Sequence, residues 1–173
     1  NLTLNTLTGV GNGRLANNRL ASTSFNAVDV GIGDFDGDGI NDIITVSDDT
    51  NIFNLNSPPI PSPDANVGRI TLFTGAGDGT FGLPASTLTR AVPKSLAVAD
   101  VDLDGVDEVA VADLTGYQIF DTGNLIVTVS ASTPGSAGSG GIAVPVSIAI
   151  ERIDDDAVPD VVVASSFLIA GLG

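Results

Sequence analysis

A chain of 173 residues is long enough for one domain with a substantial core. Its net charge of −15, with only six basic residues, argues against nucleic acid and against anionic membrane surfaces, because neither would gain favourable electrostatics. Cysteine and histidine are absent, which excludes disulfides, thiolate catalysis, His-dependent zinc sites and a Ser-His-Asp triad within the chain.

The first residue is Asn1, and neither a signal peptide nor an apolar run of membrane length is present; the expectation is a processed or excerpted chain with no membrane insertion. Asn1-Leu2-Thr3 is formally a glycosylation sequon, a triplet common by chance. A Gly-rich turn follows at Gly9–Leu15. Val28-Asp29-Val30-Gly31-Ile32 is short and β-branched, hence a strand, and so is Ile43-Ile44-Thr45-Val46. From Asn54 to Asn66 the chain carries Pro58, Pro59, Pro61 and Pro63, a density that rules out helix and central strand and predicts an exposed extended loop. A second Gly-rich turn occupies Gly75–Phe81. Further on, Leu96 and Val98 alternate with Ala97 and Ala99, which sets small residues on one strand face and large ones on the other. Small residues on one face permit close sheet-on-sheet approach. No stretch has a capped 3.6-residue apolar period, so the chain reads as almost wholly β.

The chemistry is concentrated between the first two of these strands. Asp34, Asp36 and Asp38 alternate, Gly39 follows, and Asp42 closes the run. Carboxylates this close repel one another unless a cation sits among them. Calcium is a hard cation that takes several oxygen ligands, and this spacing offers them at loop positions one, three, five and nine. Gly39 at position six can take the positive φ of a sharp turn, which lets the Ile40 carbonyl face the metal as a further ligand. An EF-hand is excluded: position twelve is Thr45 rather than a bidentate Glu, and strands rather than helices flank the loop.

The loop recurs. Shifted by 66 residues, Gly9–Leu15 falls on Gly75–Phe81, and the loop from Asp34 falls on Asp100-Val101-Asp102-Leu103-Asp104-Gly105-Val106-Asp107-Glu108. A further shift of 52 brings Arg152-Ile153-Asp154-Asp155-Asp156-Ala157-Val158-Pro159-Asp160 to the same place, between strands at Ser147–Ile150 and Val161–Ala164. The third Gly-rich turn is read as decayed into Thr133–Gly141, a flexible loop. The repeat units are residues 1–53, 67–118 and 119–173, with 54–66 inserted and a following strand begun at the end.

With Val30–Ile43 and Thr74–Gly82 as its strongest parts, the chain resembles the FG-GAP/VCBS repeat family, whose four-stranded β-propeller blades bind calcium at a strand-strand turn. The resemblance implies an all-β fold of about three blades, part of a larger propeller or assembly. It implies two calcium sites, one at Asp34, Asp36, Asp38, Ile40 (carbonyl) and Asp42, the other at Asp100, Asp102, Asp104, Val106 (carbonyl) and Glu108. The integrin-type Gly-Ala-Pro triplet is missing after both loops, so the bacterial type is the nearer likeness. In the third loop Arg152 replaces the first Asp and Ala157 the Gly, and it is read as metal-free, with the Arg152 guanidinium either among Asp154, Asp156 and Asp160 or in solvent.

The function expected from this likeness is a non-enzymatic, calcium-stabilised extracellular binding or structural module that takes a carbohydrate or protein ligand. The alternatives are a subunit of a surface filament or larger assembly, or the non-catalytic part of a polysaccharide-degrading enzyme. A lyase site wants a base and a charge-neutralising group. The only Tyr, Tyr117, lies in an apparent strand as a packing residue, and the only Lys, Lys94, reads as a solvated rim charge. Three blades are too few to close a propeller ring, and the apolar run Phe167–Gly173 looks like a strand of a next unit. Further repeats of the same polypeptide or neighbouring chains are expected to cover the open ends.

Overall fold

The computed structural model describes residues 2–9, 15–23, 26–48, 68–122, 126–132 and 142–168. The Pro-rich insertion, most of the first Gly turn, the 133–141 stretch and the last five residues lie outside them. Every regular element described is a β-strand, as the β-branched runs demand. They are β1 (Leu2–Gly9), β2 (Leu15–Thr23), β3 (Asn26–Gly33), β4 (Asp42–Asp48), β5 (Gly68–Phe73), β6 (Ala85–Leu88), β7 (Pro93–Ala99), β8 (Glu108–Asp113), β9 (Gly116–Asp121), β10 (Ile126–Ser132), β11 (Ile142–Glu151) and β12 (Asp160–Leu168). No described helix is long and apolar enough to cross a membrane.

The strands form four antiparallel sheets, none closed on itself. Two are four-stranded meanders, β3-β4-β5-β6 and β7-β8-β9-β10; two are hairpins, β1-β2 and β11-β12. The sheets and the sequence repeats are out of phase. A repeat begins one strand before the Gly turn, with the third strand of a sheet, whereas each complete sheet begins one strand before its acidic loop. In the second complete sheet the third-to-fourth turn is the short 122–125 connection between β9 and β10, while the Gly-rich 133–141 run falls between β10 and β11. The third Gly-rich turn, read at 133–141, lies outside the described residues.

The repeat is also written into the backbone, at positions that composition does not mark. The β3–β4 pairing slips at Val28, β7–β8 at Lys94 and β11–β12 at Val146, which are the same residue at the 66- and 52-residue shifts. Each bulge re-aims the last residues of its strand just ahead of the acidic loop.

The first strands β3, β7 and β11 are neighbours, so the second complete sheet lies between the first and the β11–β12 hairpin. Two cores follow. Phe35, Ile44, Val46, Ile70 and Leu72 meet Leu96, Val109, Val111 and Phe120 across one interface; Ala110, Ala112 and Ile119 meet Ile148 across the other. On β8 alone, Val109 and Val111 face one way and Ala110 and Ala112 the other, the strict period of two that strand geometry imposes. Large meets large at the first interface, with Gly31 the small exception, and large faces small at the second. A Cβ placed on Gly31 would come within 2.6 Å of Val98 Cγ2 and 2.8 Å of Leu96 Cδ1. Gly31→Ala is accordingly expected to cost about 2 kcal/mol through overpacking of a filled core. Gly9→Ala, where a Cβ meets nothing within 4 Å, is the neutral control; denaturant midpoints of the two variants check the difference.

An ion pair between a half-exposed arginine and a buried aspartate fastens the link between the two meanders. Arg90 Nη2 lies 3.3 Å from Asp113 Oδ2, whose side chain is fully buried, and Arg90 Nε donates to Thr115 Oγ1 at 2.9 Å.

Candidate metal centres

The three acidic loops occupy the same place, the turn between the first and second strands of their sheets: 34–41 between β3 and β4, 100–107 between β7 and β8, 152–159 between β11 and β12. In the first, Asp34 organises the backbone around itself. Its Oδ1 accepts from the amides of Gly37 (2.8 Å) and Asp38 (3.1 Å), and its Oδ2 from Gly39 (2.8 Å). Asp38 Oδ1 accepts from Ile40 N at 2.8 Å. This wrapping needs left-handed backbone, supplied by Gly37 (φ 75°) and Gly39 (φ 81°). Carboxylate oxygens of Asp34, Asp36 and Asp38 end within 4.8 Å of one another.

The second loop repeats the wrapping. Asp100 accepts from Asp104 N and Gly105 N, both at 3.0 Å, and Asp104 Oδ1 accepts from Val106 N at 2.9 Å. Gly105 has φ 94°, and Leu103, at the Gly37 position, is held at φ 64°, an uncommon conformation for a side chain of its size. Here Asp100, Asp102 and Glu108 bring their oxygens within 4.8 Å.

The two triads differ from the five-residue sets read from sequence. Asp42 stands outside the first triad; it is 1% exposed, its Oδ2 accepts from Phe35 N at 2.9 Å and its Oδ1 from Gly75 N at 2.7 Å. It ties the acidic loop to the Gly turn. Glu108 accepts from Val101 N in the same way, at 2.8 Å, but still reaches its triad. Asp104 stands outside the second triad. Ile40 and Val106 take their place at position seven with amides bonded to the position-five Asp.

Burial, and then the neighbouring carboxylates, raise the pKa of one acid in each of the first two loops. Burial and the neighbouring carboxylates of Asp42, Asp38 and Asp34 raise the Asp36 pKa, against a lowering by the Asp38 amide. Burial likewise raises Glu108, helped by Asp102, Asp104 and Asp100, against the bond from Val101 N. Both carboxyls resist the charge that a cation would stabilise. Donors that are all oxygen, several of them charged, on a turn with left-handed glycines fit a hard cation such as calcium. A cleft of about 510 Å³ opens beside the second loop, lined by Asp36, Asp102, Asp104, Glu108 and Asp121 with Val161 and Pro159 beyond.

The third loop keeps part of this framework. Ile153 N donates to Asp160 Oδ2 at 2.9 Å, Asp156 N to Asp154 Oδ1 at 3.0 Å and Val158 N to Asp156 Oδ1 at 2.8 Å. It lacks the carboxylate at position one, and Ala157 does not take the positive φ of Gly39 and Gly105. Arg152 is exposed and forms no ion pair with Asp154, Asp156 or Asp160 among the described residues, which favours the guanidinium in solvent.

Asp107, which spacing does not distinguish from its neighbours, joins the two acidic loops. Its Oδ2 accepts from Asp34 N at 2.9 Å and its own amide donates to Asp34 O at 2.8 Å. Thr122 Oγ1 adds to the seam, 2.7 Å from Asp107 O and 3.0 Å from Phe35 O. Asp29 Oδ2 crosses lower down to Leu96 N at 2.9 Å. The only sequence trace is an acid or amide at position eight of the first two loops, Asn41 and Asp107, which Pro159 breaks in the third.

No protein-family model matches the chain, and no curated protein matches it.

Proposed function

We propose that this chain is a calcium-stabilised, non-enzymatic binding or structural module of the cell exterior, built from blades of the FG-GAP/VCBS type. One observation carries the reading: two acidic loops, 66 residues apart in register and each holding a carboxylate triad, occupy the same inter-strand turn of two successive four-stranded sheets. The ligands are Asp34, Asp36, Asp38 and Asp42 with the Ile40 carbonyl, and Asp100, Asp102, Asp104 and Glu108 with the Val106 carbonyl. Asp42 and Glu108 act as much on the loop backbone as on the cation.

Calcium in this reading acts on folding. It neutralises charge that opposes the compact state and holds each loop against the seam with the next sheet. The ordering of first strands, β3 beside β7 beside β11, supports stacked blades as in a propeller. Tyr117 is packed against the second core and Lys94 is exposed at a bulge, placements that suit packing and solvation better than acid–base chemistry. The ligand of the module is a carbohydrate or a protein.

Calorimetric titration of chelator-treated protein is expected to show two calcium-binding events, with Kd on the order of 10⁻⁴ to 10⁻³ M. Asp36→Ala is expected to remove one event and Asp102→Ala the other. Absence of calcium heat in the wild type would overturn the reading.

A further inference from the structure

Asp34 is held from two directions. Its carboxylate gathers the Gly37, Asp38 and Gly39 amides of its own loop. Its backbone is gripped by the next loop: Asp107 Oδ2 accepts from Asp34 N at 2.9 Å, and Asp107 N donates to Asp34 O at 2.8 Å. Asp107 lies between Val106 and Glu108, both in the ligand set proposed for the second loop. The first residue of one ligand set is thus clasped by the residue between two ligands of the other. Thr122 Oγ1, itself buried, reaches both Phe35 O and Asp107 O, so the residue between Asp34 and Asp36 is tied to the same point.

The clasp is particular to this pair of loops. Gly33 admits it, because a Cβ there would come within 2.6 Å of Asp107 Oδ2. One interface further on, both halves are gone. The counterpart of Gly33 is Ala99, which carries that Cβ, and the counterpart of Asp107 is Pro159, which has neither an amide hydrogen nor a carboxylate. The third loop, beyond that interface, is also the one without a carboxylate at position one. Clasp and complete acid set therefore occur together and are lost together.

Resting on the calcium sites proposed for the first two loops, we infer that Asp107 couples them, so that filling either one raises the affinity of the other. Binding through the Asp34 carboxylate fixes one partner of the clasp; binding through Glu108 and the Val106 carbonyl fixes the other. Whichever loop fills second finds the clasp already ordered and bears less of that entropy. Electrostatics alone predicts the opposite sign. Asp36 shares a cleft with Asp102, Asp104 and Glu108, and a cation in one loop weakens the pull of the neighbouring carboxylates on a second. Positive coupling therefore reports the clasp rather than the charges.

Asp36 and Asp102 accept from Asp38 N and Asp104 N within their own loops, so Asp36→Ala and Asp102→Ala each leave one loop able to bind and the clasp untouched. Calorimetry with calcium on these two variants gives the separate association constants. The overall constant of the wild type divided by their product is the coupling factor, expected at about fivefold or more. Asp107→Ala, placed in the wild type and in both single-site variants, is expected to bring that factor to one or below. Asp107→Asn keeps an acceptor oxygen at the same place and is expected to retain it, which separates the hydrogen bond from the charge. Should Asp107→Ala lose its far-ultraviolet dichroism, hydrogen exchange of the Asp34 amide in Asp36→Ala decides. Calcium filling only the second loop is expected to slow that exchange, since the acceptor belongs to the second loop. A wild-type factor of one or below, a factor unchanged in Asp107→Ala or lost in Asp107→Asn, or an exchange rate indifferent to calcium overturns the coupling and leaves two independent sites. Absence of calcium heat in the wild type overturns the sites themselves and the coupling with them.

Discussion

Asp42→Ala is expected to destabilise the protein by about 4 kcal/mol, and to do so in chelator as well as in calcium. The carboxylate is 1% exposed and accepts two backbone N–H bonds, from Phe35 and from Gly75. Removing it strands both donors away from water, at about 1–3 kcal/mol each, and leaves a cavity besides. Phe35 is fully buried in the main core, so a displaced amide at that residue loosens the packing of its ring. For a chain of this size the loss corresponds to a fall in Tm of about 10 °C. Asp38→Ala supplies the contrast: Asp38 is exposed and bonds only the loop's own Ile40 amide, so its loss in chelator is expected to stay below about 1 kcal/mol. Asp160→Ala, the same bond in a half-exposed setting, falls between the two. Equal stability of Asp42→Ala and wild type in chelator would show that Asp42 serves the cation alone. Thermal unfolding with and without chelator makes the measurement.

Much of this arrangement is legible in the sequence. Alternation of Leu96 and Val98 with Ala97 and Ala99 states which residues face which interface, because a strand has a period of two and no other freedom. The alternating aspartates and Gly39 state where the loop is and that its backbone turns left-handed there. Other features leave no such trace. Where one sheet ends and the next begins depends on hydrogen bonding between strands, and the motif that marks the repeat lies inside a sheet rather than at its border. The bulges at Val28, Lys94 and Val146 fall on residues of unrelated chemistry, since a bulge is set by backbone register and tolerates many side chains. Spacing groups Asp42 with its neighbours and cannot show that its carboxylate also accepts from the Phe35 and Gly75 amides. Asp107 reads as one more loop acid for the same reason; only the approach of the neighbouring sheet gives it a partner.

The stability of the metal-free protein is expected to rise as pH falls from neutrality, and that of the calcium-loaded protein to fall. Asp36 and Glu108 both have folded pKa values raised above their ordinary values, by burial first and then by neighbouring carboxylates. A carboxyl raised in this way binds its proton more readily in the folded state. Its contribution is fully present below the unfolded pKa and is lost as pH rises through the folded pKa, so neutral pH is where the metal-free fold bears the whole penalty. The net charge of −15 acts in the same direction. Asp78 runs the other way: the Thr80 hydroxyl and amide lower its pKa, and what it contributes is lost as pH falls. It stands alone and exposed on the Gly turn, against two crowded triads. Calcium reverses the trend because it requires the deprotonated carboxylates. Two sites, each with calcium at a hundred times Kd, contribute about 2.7 kcal/mol apiece, which puts the loaded protein about 10–20 °C above the chelated one at neutral pH. Protons then compete for the same oxygens, so the two melting curves converge toward about pH 4. In Asp36→Asn the first loop keeps its fold but loses a charged ligand, and the gap at neutral pH is expected to shrink by about half. Tm measured across this range with calcium and with chelator makes the comparison; a gap that stays constant with pH would mean that the stabilising cation does not bind at these carboxylates.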